Sequence, residues 1–198
     1  MDIKNMRVRL NVDTVSLPSK TTEKESYTIM RLKNANTQTE ITLSDLFQKL
    51  IKGYACTGGL LNGRTDDTWL SQQVWLFDFD NKSRTMPQLT ISAAVETFHK
   101  VGIKPIFVYE TYTSTPELRK FRIGCVSREV VTYLDTRRRL IQGITDLFPT
   151  VQEPDPKTGR MITAAQIDRA CVDAARFYYG TTPKHYNKWF DDGEAFDI

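Results

Sequence analysis

The run of strand-forming apolar residues Val74-Trp75-Leu76-Phe77 ends in Asp78-Phe79-Asp80 and predicts an extended strand. Side chains of a strand alternate between its faces, so Phe77 and Phe79 point into a core while Asp78 and Asp80 share the opposite face. From Thr90 to Lys100 the spacing changes to that of a helix, with Ile91, Ala94, Val95 and Phe98 on one side and Gly102 as the stop. Ile103 to Tyr109 then reads as a second strand. Strand, helix and strand in this order predict a βαβ unit whose right-handed crossover lays the two strands parallel in one sheet. A polar turn over residues 110–117 leads to a third strand, Lys120 to Val126. Its alternation puts Phe121, Ile123 and Cys125 in the core and Lys120 with Arg122 on the other side.

Upstream, Met6 to Val12 and Tyr27 to Leu32 both alternate and predict a pair of short strands joined by the polar segment Pro18 to Ser26. Thr42 is the predicted N-cap of a helix carrying Leu46, Phe47, Leu50 and Ile51, with Gly53 just past its end. The glycine-rich stretch Tyr54 to Arg64 predicts a turn-rich loop near a site. It lacks the residue order of a nucleotide-binding Walker loop. Downstream, Arg128 to Phe148 predicts one long helix with Val130, Val131, Leu134, Leu140, Ile141, Ile144 and Leu147 on its apolar side and Arg137-Arg138-Arg139 as an exposed run. Residues 149–159 predict a proline-bearing loop. Thr163 caps a further predicted helix that runs through Asp168, Asp173 and Arg176 to Gly180. The segment His185 to Ile198, aromatic and acidic, is assigned no element.

The chain has 198 residues, 40% hydrophobic and 26% charged, which suits one globular domain spanning residues 1–198. The predicted fold class is α+β, a mixed sheet flanked by helices. A formal net charge of +3 permits a polyanionic partner without demanding one. Cys56, Cys125 and Cys171 lie far apart, so neither a disulfide framework nor a zinc site is indicated and a reducing cytoplasm is expected. The chain's first residues lack the apolar region of a leader, and no stretch approaches the ~18 apolar residues that span a bilayer, so no membrane partner is expected.

Two carboxylates side by side at a strand end repel one another unless a cation joins them, and a hard divalent ion such as Mg²⁺ or Mn²⁺ is the usual solution where phosphate chemistry is done. A solvated strand terminus is the plainer reading of Asp78 and Asp80, and the pair alone does not decide between the two. Lys120 and Arg122 fit either a phosphate-binding pair or a solvated strand face. Asp168 and Asp173 are five residues apart and do not share a helical face, so a single further carboxylate ligand is the economical reading. His99 reads as a surface residue near a helix end.

In their order and spacing, Leu76-Phe77-Asp78-Phe79-Asp80-Asn81, Tyr109 to Thr115 followed by Arg119 to Ile123, and Asp168 to Gly180 resemble the catalytic core of the archaeo-eukaryotic primase and primase-polymerase superfamily. The form resembled is that of plasmid, phage and mobile-element replication proteins, and the likeness runs from about Gly53 to Gly180. The resemblance implies an RRM-like mixed sheet core in which Asp78, Asp80 and Asp168 hold two Mg²⁺ or Mn²⁺ ions. It implies a template-directed nucleotidyltransferase that works on single-stranded DNA with NTP or dNTP, beside a replicative helicase. Ser114, Lys120, Arg122 and Arg176 are the implied nucleotide-binding residues. Where the family has a histidine in the turn before the arginine-bearing strand, this chain has Ser114. The alternatives from other classes are a non-catalytic single-strand-binding subunit of a replication initiation complex, gripping the strand through Arg137, Arg138, Arg139, Tyr178 and Tyr179, and a protein that keeps the metal site without polymerisation, as a small nuclease or an assembly subunit beside a helicase.

Overall fold

The computed structural model of the chain describes residues 2–20, 22–63 and 65–198. They form a mixed α+β fold. In chain order its elements are β1 (Arg7–Ser16), α1 (Glu25–Leu32), β2 (Gln38–Thr42), α2 (Leu43–Ile51), β3 (Tyr54–Thr57), β4 (Gly59–Leu61), β5 (Trp69–Phe79), α3 (Ile91–Lys100), β6 (Phe107–Glu110), β7 (Phe121–Val131), α4 (Leu134–Thr145), β8 (Thr150–Pro154), β9 (Met161–Ala165), β10 (Phe177–Tyr178) and β11 (Asn187–Trp189). Among the described residues, no helix is long and apolar enough to cross a membrane.

The central layer is a five-stranded sheet in the order β11-β6-β7-β5-β4. β5 and β6 each pair antiparallel with β7, so they run parallel to one another, as the βαβ pattern predicts, with β7 between them. Period-two alternation gives this sheet two buried faces. Trp75, Phe77 and Phe79 of β5 join Phe121, Ile123 and Cys125 of β7 in packing against Ala94 and Phe98 of α3 and Ile141 and Ile144 of α4. The Phe79 and Phe121 rings stack at 4.8 Å. On the other face, Val74, Leu76, Phe107, Tyr109 and Val126 meet Val8, Leu10 and Val12 of β1 and the apolar side of α2. Gly124 permits this close layer, because a Cβ there would meet the Phe107 ring at 2.4 Å. The covering layer is a four-stranded sheet, β10-β3-β1-β2.

Local chemistry explains the helices that match the expected pattern. The Thr42 side chain accepts the Asp45 N–H at 3.1 Å and Thr90 accepts the Ala93 N–H at 3.1 Å, each satisfying a donor that the first turn leaves open. Gly53 ends α2 at φ +92°, a left-handed conformation suited to glycine.

Elsewhere the structure corrects the sequence expectation. Tyr27–Leu32 belongs to α1, not to a strand: Thr28 and Leu32, four apart, are the residues it buries, and Arg31 reaches out to Asp13 and Glu23. The stretch expected as a turn-rich loop forms β3 and β4, and Arg64 at its end lies outside the described residues. The long helix expected from Arg128 is shorter, because β-branched Val130 and Val131 extend β7, Val131 facing Gln72, before α4 begins at Leu134. The proline-bearing loop is largely a hairpin: β8 pairs with β9 from Thr150↔Ala165 to Pro154↔Met161, and Asp155 turns the chain by accepting the N–H groups of Lys157 and Thr158. Thr163 therefore lies in β9 and caps no helix. After it come a bridge at Ile167, a 3₁₀ turn over Arg169–Val172 and β10. The unassigned C-terminal stretch contributes β11, whose Trp189 packs edge-on to Phe47.

Arg137 is the largest departure from the expected exposed run, since its side chain is only 2% exposed. Its guanidinium donates to Gln72 Oε1 at 2.7 Å and to the carbonyls of Val172 at 2.6 Å, Asp173 at 2.9 Å and Cys171 at 3.3 Å. It ties α4 to the 3₁₀ turn. Arg137→Ala is expected to lower the unfolding free energy by about 3 kcal/mol in urea titrations, because several buried acceptors lose their donor. Arg137→Lys should recover little of this, an ammonium being unable to reproduce the planar fork.

Candidate active site

On the face that covers β1 and α2, the central sheet changes from apolar to charged at a single row. Tyr109, Arg122 and Asp78 stand side by side in register across β6, β7 and β5. Below them lie Val74 and Leu76, and above them the sheet opens on a cavity of about 630 Å³, a volume suited to a nucleotide-sized ligand. Asp78, Asp80, Asp168, Lys82, Arg122 and Arg176 all line this cavity.

Asp78 is 4% exposed and lies between two guanidinium groups. Arg122 Nη2 donates to its Oδ2 at 3.2 Å, Arg122 Nε lies 3.2 Å from its Oδ1, and Arg176 Nη2 donates to Oδ2 at 3.1 Å. The same Arg176 nitrogen donates to Asp168 Oδ2 at 2.8 Å, so one guanidinium joins two of the three acids. Lys82 joins the third, its Nζ lying 2.5 Å from Asp80 Oδ2 and 3.9 Å from Asp168 Oδ2. Three carboxylates thus face three cations. The rings complete the packing: Tyr178 lies 5.5 Å from the guanidinium carbons of both Arg122 and Arg176, and Arg122 Nη1 donates to the Tyr179 carbonyl.

Backbone pairing, not a helix, brings Asp168 here. Residues 166–168 run antiparallel to the end of β5, with a bridge between Phe79 and Ile167. The Asp168 N–H donates to the Asp78 carbonyl at 2.7 Å, and the N–H groups of Asp80 and Asn81 donate to the Gln166 carbonyl. Asp168 also caps the 3₁₀ turn by accepting the Ala170 N–H at 3.0 Å. Burial opposes its ionisation, but the Arg176 charge and this N–H prevail and hold its carboxyl below the usual range. Burial likewise opposes the Arg122 cation, and Asp78 beside it keeps the guanidinium firmly protonated. Lys82 is raised in the same way, desolvation being outweighed by Asp80 and Asp168.

Asn81 was not singled out by its sequence pattern, yet it sets the direction of the chain after the acids. It adopts φ +51°, is buried, and spans the loop by donating to the carbonyls of Leu89 at 3.1 Å and Arg119 at 2.7 Å while accepting the Leu89 N–H at 2.8 Å. Lys82 was also missed. A cation two residues beyond a D-x-D was the only available signal.

Other expected residues stand elsewhere. Ser114 and Lys120 are not among the residues lining the cavity, to which their turn contributes Thr111, Tyr112 and Thr113. The Ser114 hydroxyl instead accepts the Lys120 N–H at 3.1 Å and closes the turn. Arg137 is enclosed, Arg138 pairs with Asp66 at 2.9 Å and Arg139 with Asp135 at 2.7 Å, so the three form no common patch. Tyr178 and Tyr179, expected to be exposed for gripping a strand, are buried. His99 is exposed, as expected.

The donor set is one of hard oxygens, the kind that takes Mg²⁺ or Mn²⁺. Asp78 Oδ1 is buried without a hydrogen bond but faces Arg122 Nε at 3.2 Å, so an ion there would compete with that guanidinium. Among the described residues no three carboxylate, imidazole or thiol groups stand close enough together to hold an ion as they are. The arginine and lysine chains lie between the acids. An ion joining Asp80 to Asp168 would take the place of the exposed Lys82 ammonium.

Comparison with known proteins, by family model, by sequence and by structure, gave no match.

The two D-x-D acids should differ sharply in what they do for stability. Asp78→Ala leaves the buried Arg122 without its counter-charge and the half-buried Arg176 with Asp168 alone, and is expected to cost about 3–5 kcal/mol in urea unfolding. Asp80→Ala removes a partner only from Lys82, whose side chain is 61% exposed, and should cost less than about 1 kcal/mol. Equal losses would contradict this division of labour.

Proposed function

We propose that the chain is a template-directed nucleotidyltransferase of the primase-polymerase type, which synthesises or extends a strand on single-stranded DNA in the replication of a plasmid, phage or other mobile element. One observation carries the reading: Asp168, distant in sequence from the Asp78 and Asp80 pair, lines one cavity with them and with Arg122 and Arg176. The antiparallel sheet of β5, β6 and β7 backed by α3 and α4 supports an RRM-like core of the kind that the resemblance implies.

Asp78, Asp80 and Asp168 would hold Mg²⁺ or Mn²⁺, which when bound would supply Lewis acidity toward a 3′-hydroxyl and a departing pyrophosphate. The residues of the chain provide position and charge. Arg122 is fixed by Asp78 and the Tyr179 carbonyl, so its field is oriented before any ligand arrives. Arg176, shared between Asp78 and Asp168, presents a second guanidinium to the phosphates. Lys82, on a flexible and exposed stem, is the cation best able to follow the triphosphate as charge develops on it. The buried rings of Tyr109 and Tyr178 beside Arg122 exclude water from the base of the cavity, which strengthens each of these interactions.

Ser114 favours a second reading, binding of single strands without synthesis, because its hydroxyl is engaged in the turn and that turn offers no cation to a nucleotide. Primer extension separates the two. Purified protein with a primed template, Mn²⁺ and labelled nucleotides is expected to give product, and Asp80→Ala, the variant that leaves the fold least disturbed, should lower the rate by roughly 100-fold or more. Strand binding with a steep salt dependence and no product would favour the second reading. Product unaffected by Asp80→Ala would exclude the assigned site.

A further inference from the structure

A second cavity, of about 640 Å³, lies between residues 80–84 and the β8–β9 hairpin. It shares a wall with the first: Asp80, Lys82 and Asp168 line both, whereas Asp78, Arg122 and Arg176 line only the first. The two cavities differ in character. The first is dominated by charged side chains. The second has Ala164, Ile162 and Leu118 along it, the last two each 37% exposed, with Arg84 and Arg169 also contributing.

We propose that this second cavity receives the 3′ end of the acceptor strand. The proposal rests on the nucleotidyltransferase reading and adds to it the place of the second reactant. Displacement at phosphorus is in line, so the attacking oxygen and the leaving group lie on opposite sides of the α-phosphorus. The buried Arg122 and half-buried Arg176 guanidinium groups suit a triphosphate and place the leaving pyrophosphate in the first cavity. The acceptor hydroxyl then approaches across the shared wall, from the second. Its oxygen bonds to the α-phosphorus as the bond from that phosphorus to the bridging oxygen breaks. The electron pair leaves with pyrophosphate, and the hydroxyl proton passes to solvent. Ile162 and Leu118 give the terminal sugar and base an apolar surface, and Arg84 gives the strand's phosphate a cation.

The hairpin is held in place for this role. Glu153 of β8 accepts from Ser83 Oγ at 2.9 Å, from the N–H groups of Arg84 at 3.1 Å and Thr85 at 3.2 Å, and from Thr85 Oγ1 at 2.9 Å. The far wall of the second cavity is thereby fixed to the loop that carries Lys82. Together the four donors hold the Glu153 carboxylate in its charged form, against its burial.

A primer bearing a photoreactive thio-base at its 3′ terminus, annealed to a longer template and irradiated with the full chain, tests this assignment. Cross-links mapped by mass spectrometry are expected on Met161–Ala165 or Leu118; cross-links on Lys20 or Tyr112–Thr113, in the first cavity, would overturn the proposal. In steady-state kinetics Ile162→Glu should raise KM for primer by about tenfold while leaving KM for nucleotide within about twofold, and Lys20→Glu should do the reverse. Equal effects of Ile162→Glu on both constants would also overturn it. Nucleotide incorporation by the unaltered chain with cross-links in the first cavity defeats this inference alone; absence of incorporation defeats the nucleotidyltransferase reading and this inference with it.

Discussion

Asp78 is a carboxylate enclosed by protein, and its enclosure is tolerable only because two guanidinium groups and their own acceptors meet it there. An unpaired charge in an interior is worth several kcal/mol of destabilisation, so the pairing constrains every segment that supplies a partner. Arg122 comes from β7, Arg176 from the approach to β10, and the carbonyl that fixes Arg122 belongs to Tyr179. The backbone of Asp78 in turn receives the Asp168 N–H. The end of the central sheet, the strand-like 166–168 segment and the 176–179 segment are therefore locked by one cluster. That cluster also forms the floor of the cavity.

The consequence for chemistry is a division between fixed and movable charge. Arg122 and Arg176 are held by hydrogen bonds and by the Tyr178 ring, and present oriented donors with little reorganisation. Among the described residues, Lys82 is held by carboxylates alone, at the cavity edge, and its exposed stem retains freedom to move. Asp80 and Asp168 form the partition between two cavities of similar size and unlike lining. Glu153 and Asn81 both brace the second cavity's side of that partition, and neither carries an obvious signal in the sequence.

A continuous apolar run made β5 legible and alternation made most of β7 so, and with them the facing of Asp78 and Arg122, because a strand buried on both sides leaves a polar residue conspicuous. A threonine cap did the same for α2, and helical apolar spacing with Gly102 as the stop did so for α3. The stretch 163–180 misled for a physical reason: Ile167, Cys171 and Ala174 follow helical spacing and all three are buried in one core, yet a bridge, a 3₁₀ turn and extended chain place them there. Asp168 reached its expected neighbours by a route that its spacing from Arg176 did not describe. Arg137 could not be read locally at all, since its acceptors lie across the fold on Gln72 and on residues 171–173. Ser114 and Lys120 have suitable chemistry but a turn that keeps both off the cavity.

The central claim is that one cavity binds divalent ions and a nucleoside triphosphate on Asp78, Asp80, Asp168, Arg122 and Arg176. Anomalous scattering from crystals grown with Mn²⁺ and a non-hydrolysable nucleoside triphosphate tests it most directly. Manganese peaks against the oxygens of those three aspartates, with Lys82 displaced from Asp80 and the phosphates against Arg122 and Arg176, are the predicted result. Triphosphate bound elsewhere, with no manganese at these carboxylates and Lys82 still joining Asp80 to Asp168, would contradict it.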